Sequence, residues 1–247
     1  MKESSPPTHA RQWESSLLTT GSRILRLELP GYEALFDRRF ATEPSALEFV
    51  RSLDTLMQQG QVLKTDNATS LSRVLWCGHD TVIKRYNHRS LWHSLRHTLK
   101  GSRAKRNWLN AHRLVTLNIA TPEPLACVDV YRGPLLWQSY FVARFVSGTL
   151  VYTLLRDETV SAAQKQRIHD QVLELLRLLA EHGISHGDMK HTNLLYDGSA
   201  VVLMDLDAMR VSGTGWLGRR RHRRDVERYR RDLEGLMMTS MPSQGAR

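Results

Sequence analysis

The 247-residue sequence predicts an α+β fold in two lobes, a small β-rich lobe followed by a compact helical one. Three observations predict it. From Gln61 to Val146 the apolar residues come in short runs separated by turn residues, with one helical stretch set among them. From Ser147 onward the apolar spacing becomes helical. Between the helical stretches lies "ISHGDMKHTNLLYD", residues 184–197, where histidine, acid, lysine and amide side chains stand between apolar residues. Buried polar atoms are costly unless paired or used, so this stretch is either a solvated turn or a site.

Taken in order, residues 1–60 read as a tail and an extension. Residues 1–15 are polar, "ILRLELPGYEALF" is short and mixed, and "EPSALEFVRSLDTLMQQG" repeats Leu47, Val50, Leu53, Leu56 and Met57 at helical spacing, predicting a helix over 44–58 that stops at Gly60. The β-rich lobe spans 61–146. It begins with a meander of "QVLKT", "SRVLWC" and "TVIKRYN", separated by Asp66-Asn67 and Gly78-His79-Asp80. "SRAKRNWLNAHRLVTL" then places Trp108, Ala111, Leu114 and Leu117 on one stripe behind a candidate N-cap, Ser102. Two more strands turn at Gly133-Pro134. The helical lobe spans 147–247. Its long helix carries Ile168, Val172, Leu175, Leu176 and Leu179 on one face and ends at His182-Gly183. The strand "AVVLMD" and a basic helix follow it.

Hydrophobic residues at 41% and charged residues at 24% are ordinary globular values, which excludes a disordered chain and a membrane bundle. Met1 to Gln12 hold Glu3 and no apolar core of a leader, and no apolar run is long enough to span a bilayer, so the chain reads as cytosolic. Cys77 and Cys127 lack metal-ligand spacing and lie in strand-like surroundings, which predicts buried free thiols. The formal charge of +10 is less ordinary and gathers anionic partners. It is concentrated in two places. Residues 81–122 hold nine Lys/Arg and no acid, and the second block runs from Arg219 to Arg231. Each is either an anion-binding patch or a solvated basic face.

A β-rich half, a helical half and a His-x-Asp-x-x-x-x-Asn loop form the order of parts in the protein-kinase-like fold. His186, Asp188, Lys190 and Asn193 together arise by chance on the order of once per 10^5 positions, each type being about one residue in twenty. In that chemistry Asp188 orients an acceptor hydroxyl and takes its proton, and Asn193 holds magnesium. Asp205, ending "VVLMD", is the second magnesium ligand, Lys84 in "TVIKRY" reaches the ATP phosphates, and Lys190 offsets charge on the transferring group. Asp207 reads as a supporting or capping group. Asp225 either braces the loop or lies on a solvated helix face.

These pieces resemble the WaaP/InaA-like lipopolysaccharide kinases of Gram-negative bacteria. The resemblance rests on "TVIKRYN", "SRAKRNWLNAHRL", "IATPEPLA", "HGDMKHTNLLYD" and "VVLMDLDAMR", and covers most of residues 74–210. It implies a Mg2+- and ATP-dependent kinase phosphorylating heptose or Kdo hydroxyls of the lipid A-core glycolipid at the cytoplasmic face of the inner membrane. The basic windows suit that acidic glycolipid and an anionic inner-membrane surface. No nucleic acid partner is expected, since no aromatic-interleaved RNA-binding pattern is visible.

Other features bear on the acceptor and the nucleotide. Gly187 stands where many protein kinases have arginine, and only nineteen residues separate Asp205 from Asp225, which leaves little room for a peptide-docking segment. Choline- and aminoglycoside-kinase-like enzymes share His-Gly-Asp, so another small acceptor, or a nucleotide-binding scaffold without turnover, are the competing readings. No Gly-rich phosphate loop is present. The turn "KTDNATSLSR" would cover phosphates with its N–H groups and the hydroxyls of Thr69 or Ser70. Adenine is expected against the backbone of Arg144-Phe145-Val146. The helix 102–117 offers no Glu for Lys84, and Asn107 is its best-placed polar substitute.

Overall fold

The computed structural model describes residues 15–87 and 101–239. Residues 1–14 of the tail expected over 1–15, and the basic residues Arg89, Arg96 and Lys100, lie outside the described residues. The chain forms two compact units, residues 1–113 with 122–145 and residues 114–121 with 146–247.

The first unit is built on strands β1 (Ile24–Leu29), β2 (Tyr32–Asp37), β3 (Gln61–Thr65), β4 (Thr69–Trp76), β5 (His79–Tyr86), β6 (Pro124–Arg132) and β7 (Leu135–Arg144). They pair in the order β1-β2-β6-β7-β5-β4-β3, every pairing antiparallel. The meander expected over 61–86 is present. Helix α1 (Glu43–Gln59) opens on a capping box, the Thr42 N–H donating to Ser45 Oγ at 3.0 Å, with a proline in its first turn. Its Phe49, Val50, Leu53 and Met57 pack on Leu25, Leu27, Phe36, Val74 and Ile83 of the sheet. Burying each such side chain stabilises by about 1.5–3 kcal/mol, so α1 belongs to this unit's core.

Helix α2 (Arg103–Thr116) covers a second cluster, in which Ala104 and Trp108 meet Ile24, Leu35, Tyr86 and Cys127. Ser102 caps it as expected, its Oγ accepting from Lys105 N at 2.8 Å. Strand alternation sorts β5 between the two helices. Ile83 and Arg85 turn toward α1, where Arg85 pairs with Asp54 at 3.2 Å, and Lys84 and Tyr86 take the α2 face.

Two features differ from the sequence reading. The mixed segment at 24–37 is a hairpin at the edge of the sheet, turning at Gly31 with φ of 80°. The charged residues of β1 lie on one face, Arg26 pairing with Glu28 at 2.6 Å and with Glu33 of β2 at 3.2 Å. β2 is buried on both faces, Ala34 and Phe36 on the α1 side and Leu35 on the α2 side, which hides the alternation a strand would show. Cys77 is exposed, not buried. It and Gly78 close the β4–β5 hairpin at φ of 46° and 80°, and a two-residue turn with both φ positive projects beyond the sheet. Cys127 is buried, and burial pushes its thiol well above the ordinary range.

The second unit holds α3 (Val151–Arg156), α4 (Ala162–Glu181) and α5 (Trp216–Thr239) with two small sheets. β10 (Leu194–Tyr196) lies between β8 (Thr149–Leu150) and β11 (Val201–Leu203), and β9 (Ile184–Ser185) pairs with β12 (Arg210–Val211). Ser161 caps α4, accepting from Gln164 N at 3.2 Å, and the five apolar residues expected on its inner face are all buried. Gly183 ends it at φ of 63°, where a Cβ would strike Gly213 at 2.5 Å. Among the described residues, no helix is long and apolar enough to cross a membrane.

Candidate active site

In the second unit the loop leaving β9 is anchored before it presents its acid. Asp225 on α5 is buried, and its carboxylate accepts the amides of His186 at 2.7 Å and Gly187 at 2.9 Å. Of the two readings of Asp225, the structure selects the bracing one. Burial pushes its carboxyl upward, and the two amide bonds oppose that shift. Gly187 sits at φ of 81°, and a Cβ there would come within 2.7 Å of the Ala208 carbonyl. No arginine fits at that position.

The His186 ring is fully buried and joins two chain segments. Nδ1 accepts the Asp188 N–H at 3.3 Å, so Nε2 carries the hydrogen that the Met204 carbonyl accepts at 3.0 Å. Met204 N in turn donates to the Asn193 carbonyl at 2.9 Å. Histidine thus ties the backbone of Asp188 to the residue preceding Asp205. Asp205 adopts a left-handed conformation, φ 60° and ψ 62°, and heads the 3₁₀ turn 206–208 that contains Asp207. A non-glycine residue held there costs of order 1 kcal/mol or more, and such positions concentrate at functional sites.

Asp188, Lys190 and Asn193 are brought together as the spacing predicts. Lys190 Nζ lies 3.0 Å from the Asp188 carboxylate. Asn193 Nδ2 donates to the Asp188 carbonyl at 2.9 Å and to Oδ2 at 3.3 Å. With its amide nitrogen so engaged, Asn193 has its oxygen left for a cation. Among the described residues no cluster of three or more acid, His or Cys side chains could hold a metal by itself. An amide oxygen and one carboxylate, completed by substrate phosphates, is nonetheless a donor set that Mg2+ accepts. The residues fit the ion.

Sequence reading missed three contributors on α5. Arg228 Nη1 bonds the Gly187 carbonyl and Asp188 Oδ1, the latter at 3.0 Å. Asp232 accepts from His191 N at 2.8 Å and from its ring Nδ1. The Tyr229 ring leans on His191 with centroids 4.5 Å apart, while its hydroxyl meets His169 Nδ1 at 2.8 Å. The available signal was the pair Asp225 and Asp232, seven apart within an arginine run.

The nucleotide-binding candidates of the first unit are placed as follows. Lys84 lies mid-strand on the α2 face, its Nζ 5.2 Å above the Tyr86 ring. The Tyr86 hydroxyl accepts from Asn107 Nδ2, so the polar residue expected near Lys84 meets the ring beneath it. Thr69 pairs with Tyr86 in register and shares that face, whereas Ser70 opposite Arg85 takes the α1 face. The β3–β4 turn is organised by Asp66, whose Oδ1 accepts the amides of Ala68 at 2.7 Å and Thr69 at 2.8 Å. These amide bonds hold its carboxyl down to about 2. Arg144 ends β7 with its guanidinium on Glu123 at 2.9 Å, and the boundary between units falls between Phe145 and Val146.

Residues 58–244 match the family model "Lipopolysaccharide kinase (Kdo/WaaP) family". The chain belongs to that family. As a Kdo/WaaP kinase it is a phosphotransferase, and the family implies use of ATP. Among solved structures it is similar to "WaaP in complex with acyl carrier protein", at 16% identity and a TM-score of 0.54, covering 83% of this chain and 86% of that one. That likeness shows the fold of the Kdo/WaaP kinase, the α+β arrangement with a sheet-rich first part and a helical second part. No curated protein matches the chain in sequence.

Proposed function

We propose that this kinase transfers the γ-phosphoryl group of Mg-ATP to a heptose or Kdo hydroxyl of the lipid A-core glycolipid at the cytoplasmic face of the inner membrane. The observation that carries this is the Asp188 carboxylate, presented on a backbone pinned by Asp225 and flanked by Lys190 and Asn193. Asp188 orients the acceptor hydroxyl and takes its proton as the new P–O bond forms and the bond to ADP breaks. Lys190 offsets charge on the transferring group. Lys84 binds phosphates, with Thr69 on the same face at the start of β4 and the backbone of Arg144 and Val146 against adenine, while Ser70, opposite Arg85, faces α1 and takes no part. Asn193 and Asp205 would hold Mg2+, which when bound neutralises phosphate charge.

The acceptor's setting is supported by α5. Arg219, Arg220, Arg223, Arg224, Arg230 and Arg231 are exposed on the side away from Asp225, and none is ion-paired with a described residue. Trp216, 62% exposed, stands at the start of the same side. A cationic face with an aromatic at one end suits an anionic bilayer surface.

Mass spectrometry of the lipopolysaccharide core tests the reading, using a host deleted for the gene and complemented with wild type or Asp188→Ala. One phosphate restored on a core sugar by wild type alone supports it. Identical cores overturn the glycan acceptor.

A further inference from the structure

Asp225, Arg228 and Asp232 stand at i, i+3 and i+7 of α5, one stripe of a helix with 3.6 residues per turn. Each meets a different part of the catalytic loop. Asp225 takes the amides of 186 and 187, Arg228 the Gly187 carbonyl and Asp188 Oδ1, and Asp232 the backbone and ring of His191. Two of these contacts fix backbone and imidazole. Arg228 alone of the three touches the reacting carboxylate.

We propose that Arg228 is a positioning residue for Asp188, holding Oδ1 so that the carboxylate keeps one orientation toward the acceptor hydroxyl. This rests on the reading of Asp188 as the group that takes the hydroxyl proton. The preceding residue cannot brace it, because Gly187 has no side chain and tolerates none. Arg228 supplies the brace from another element. Its guanidinium is anchored to the loop by the Gly187 carbonyl, which makes it a fixed point beside Oδ1. Asn193 meets Oδ2 from another side at 3.3 Å, so rotation of the carboxylate would break a contact at each oxygen.

The stability of the pair is a poor reason for its presence. The side chains of Arg228 and Asp188 are 41% and 35% exposed, and ion pairs that wet contribute little to folding. Misplacing a catalytic group by about 1 Å, in contrast, can cost on the order of 10²-fold in rate.

The test uses the full chain with ATP and purified core acceptor, comparing wild type, Arg228→Ala, Arg228→Lys and Asp188→Asn, plus Arg228→Ala combined with Asp188→Asn. Arg177→Ala, at a surface ion pair of α4, is the control. The expected result is a kcat lower by about 10- to 100-fold in Arg228→Ala, with KM for ATP and acceptor within about twofold. Arg228→Lys recovers part of the rate. In the Asp188→Asn background, Arg228→Ala causes no further loss, because it acts through the group already removed. An additive loss, a raised acceptor KM at unchanged kcat, or a rate loss matched by a falling melting temperature would each overturn the proposal. Should wild type leave the core acceptor untouched, the proposed acceptor fails, and the same comparisons are read from ATP hydrolysis.

Discussion

Two carboxylates of the second unit show how environment assigns work to identical side chains. Asp225 is 3% exposed and spends both oxygens on backbone amides. Asp188 is partly exposed and faces lysine, arginine and amide. Replacing Asp188 with Asn keeps its size but removes the proton acceptor, so transfer should fall by at least about 10²-fold while a fluorescent ATP analogue still binds. Replacing Asp225 with Ala strands the buried His186 N–H and the partly buried Gly187 N–H, both of which had this carboxylate as partner. The expected loss is roughly 2–5 kcal/mol of unfolding free energy, measured by urea denaturation. Asn at 225 keeps one acceptor and should lose less. Equal, small losses for both variants would show that the amides find other partners.

At the level of elements, α2 is fastened to the sheet through a buried acid. Asp129 on β6 is 4% exposed, with Oδ1 lacking a hydrogen-bond partner. Burial pushes its carboxyl up to about 7, against the pull of the Ser102 hydroxyl and the charge of Lys105. Below about pH 4 Asp129 is protonated folded or unfolded and costs nothing. Between 4 and 7 the unfolded chain ionises first, so stability declines with rising pH and levels off above 7. Raising the carboxyl from its ordinary 3.8 to about 7 corresponds to a few kcal/mol. Urea curves at pH 4.5 and 8 should therefore diverge for wild type and much less for Asp129→Asn; parallel behaviour of the two proteins would refute this. Neither this acid nor Arg228 was legible in the sequence. The meander at 61–86, both flanking helices and the Asp188–Asn193 spacing were, because period and short-range spacing reveal them. The 24–37 hairpin escaped because β2 is buried on both faces, Ala34 and Phe36 in one cluster and Leu35 in the other, so it shows no alternation. Arg228 escaped because, among so many arginines, only the packed helix shows which one turns inward.

For the molecule as a whole, the charge of +10 becomes useful where it is concentrated. The outward side of α5 gathers six exposed arginines, interrupted by Glu227, while the opposite side of that helix holds the catalytic loop. One helix thus carries both the surface suited to anionic lipid and the residues that fix Asp188. Each arginine near an anionic surface contributes about 1 kcal/mol, screened beyond roughly 8–10 Å at physiological salt. Removing Arg219, Arg220, Arg223 and Arg224 together should weaken cosedimentation with phosphatidylglycerol vesicles by about 10²- to 10³-fold. Raising salt should weaken the wild type far more than the variant, since the variant has lost the charges that salt screens. Binding that survives both treatments would mean that apolar contact at Trp216 and Leu217 carries the attachment, because burial of those side chains is indifferent to ionic strength.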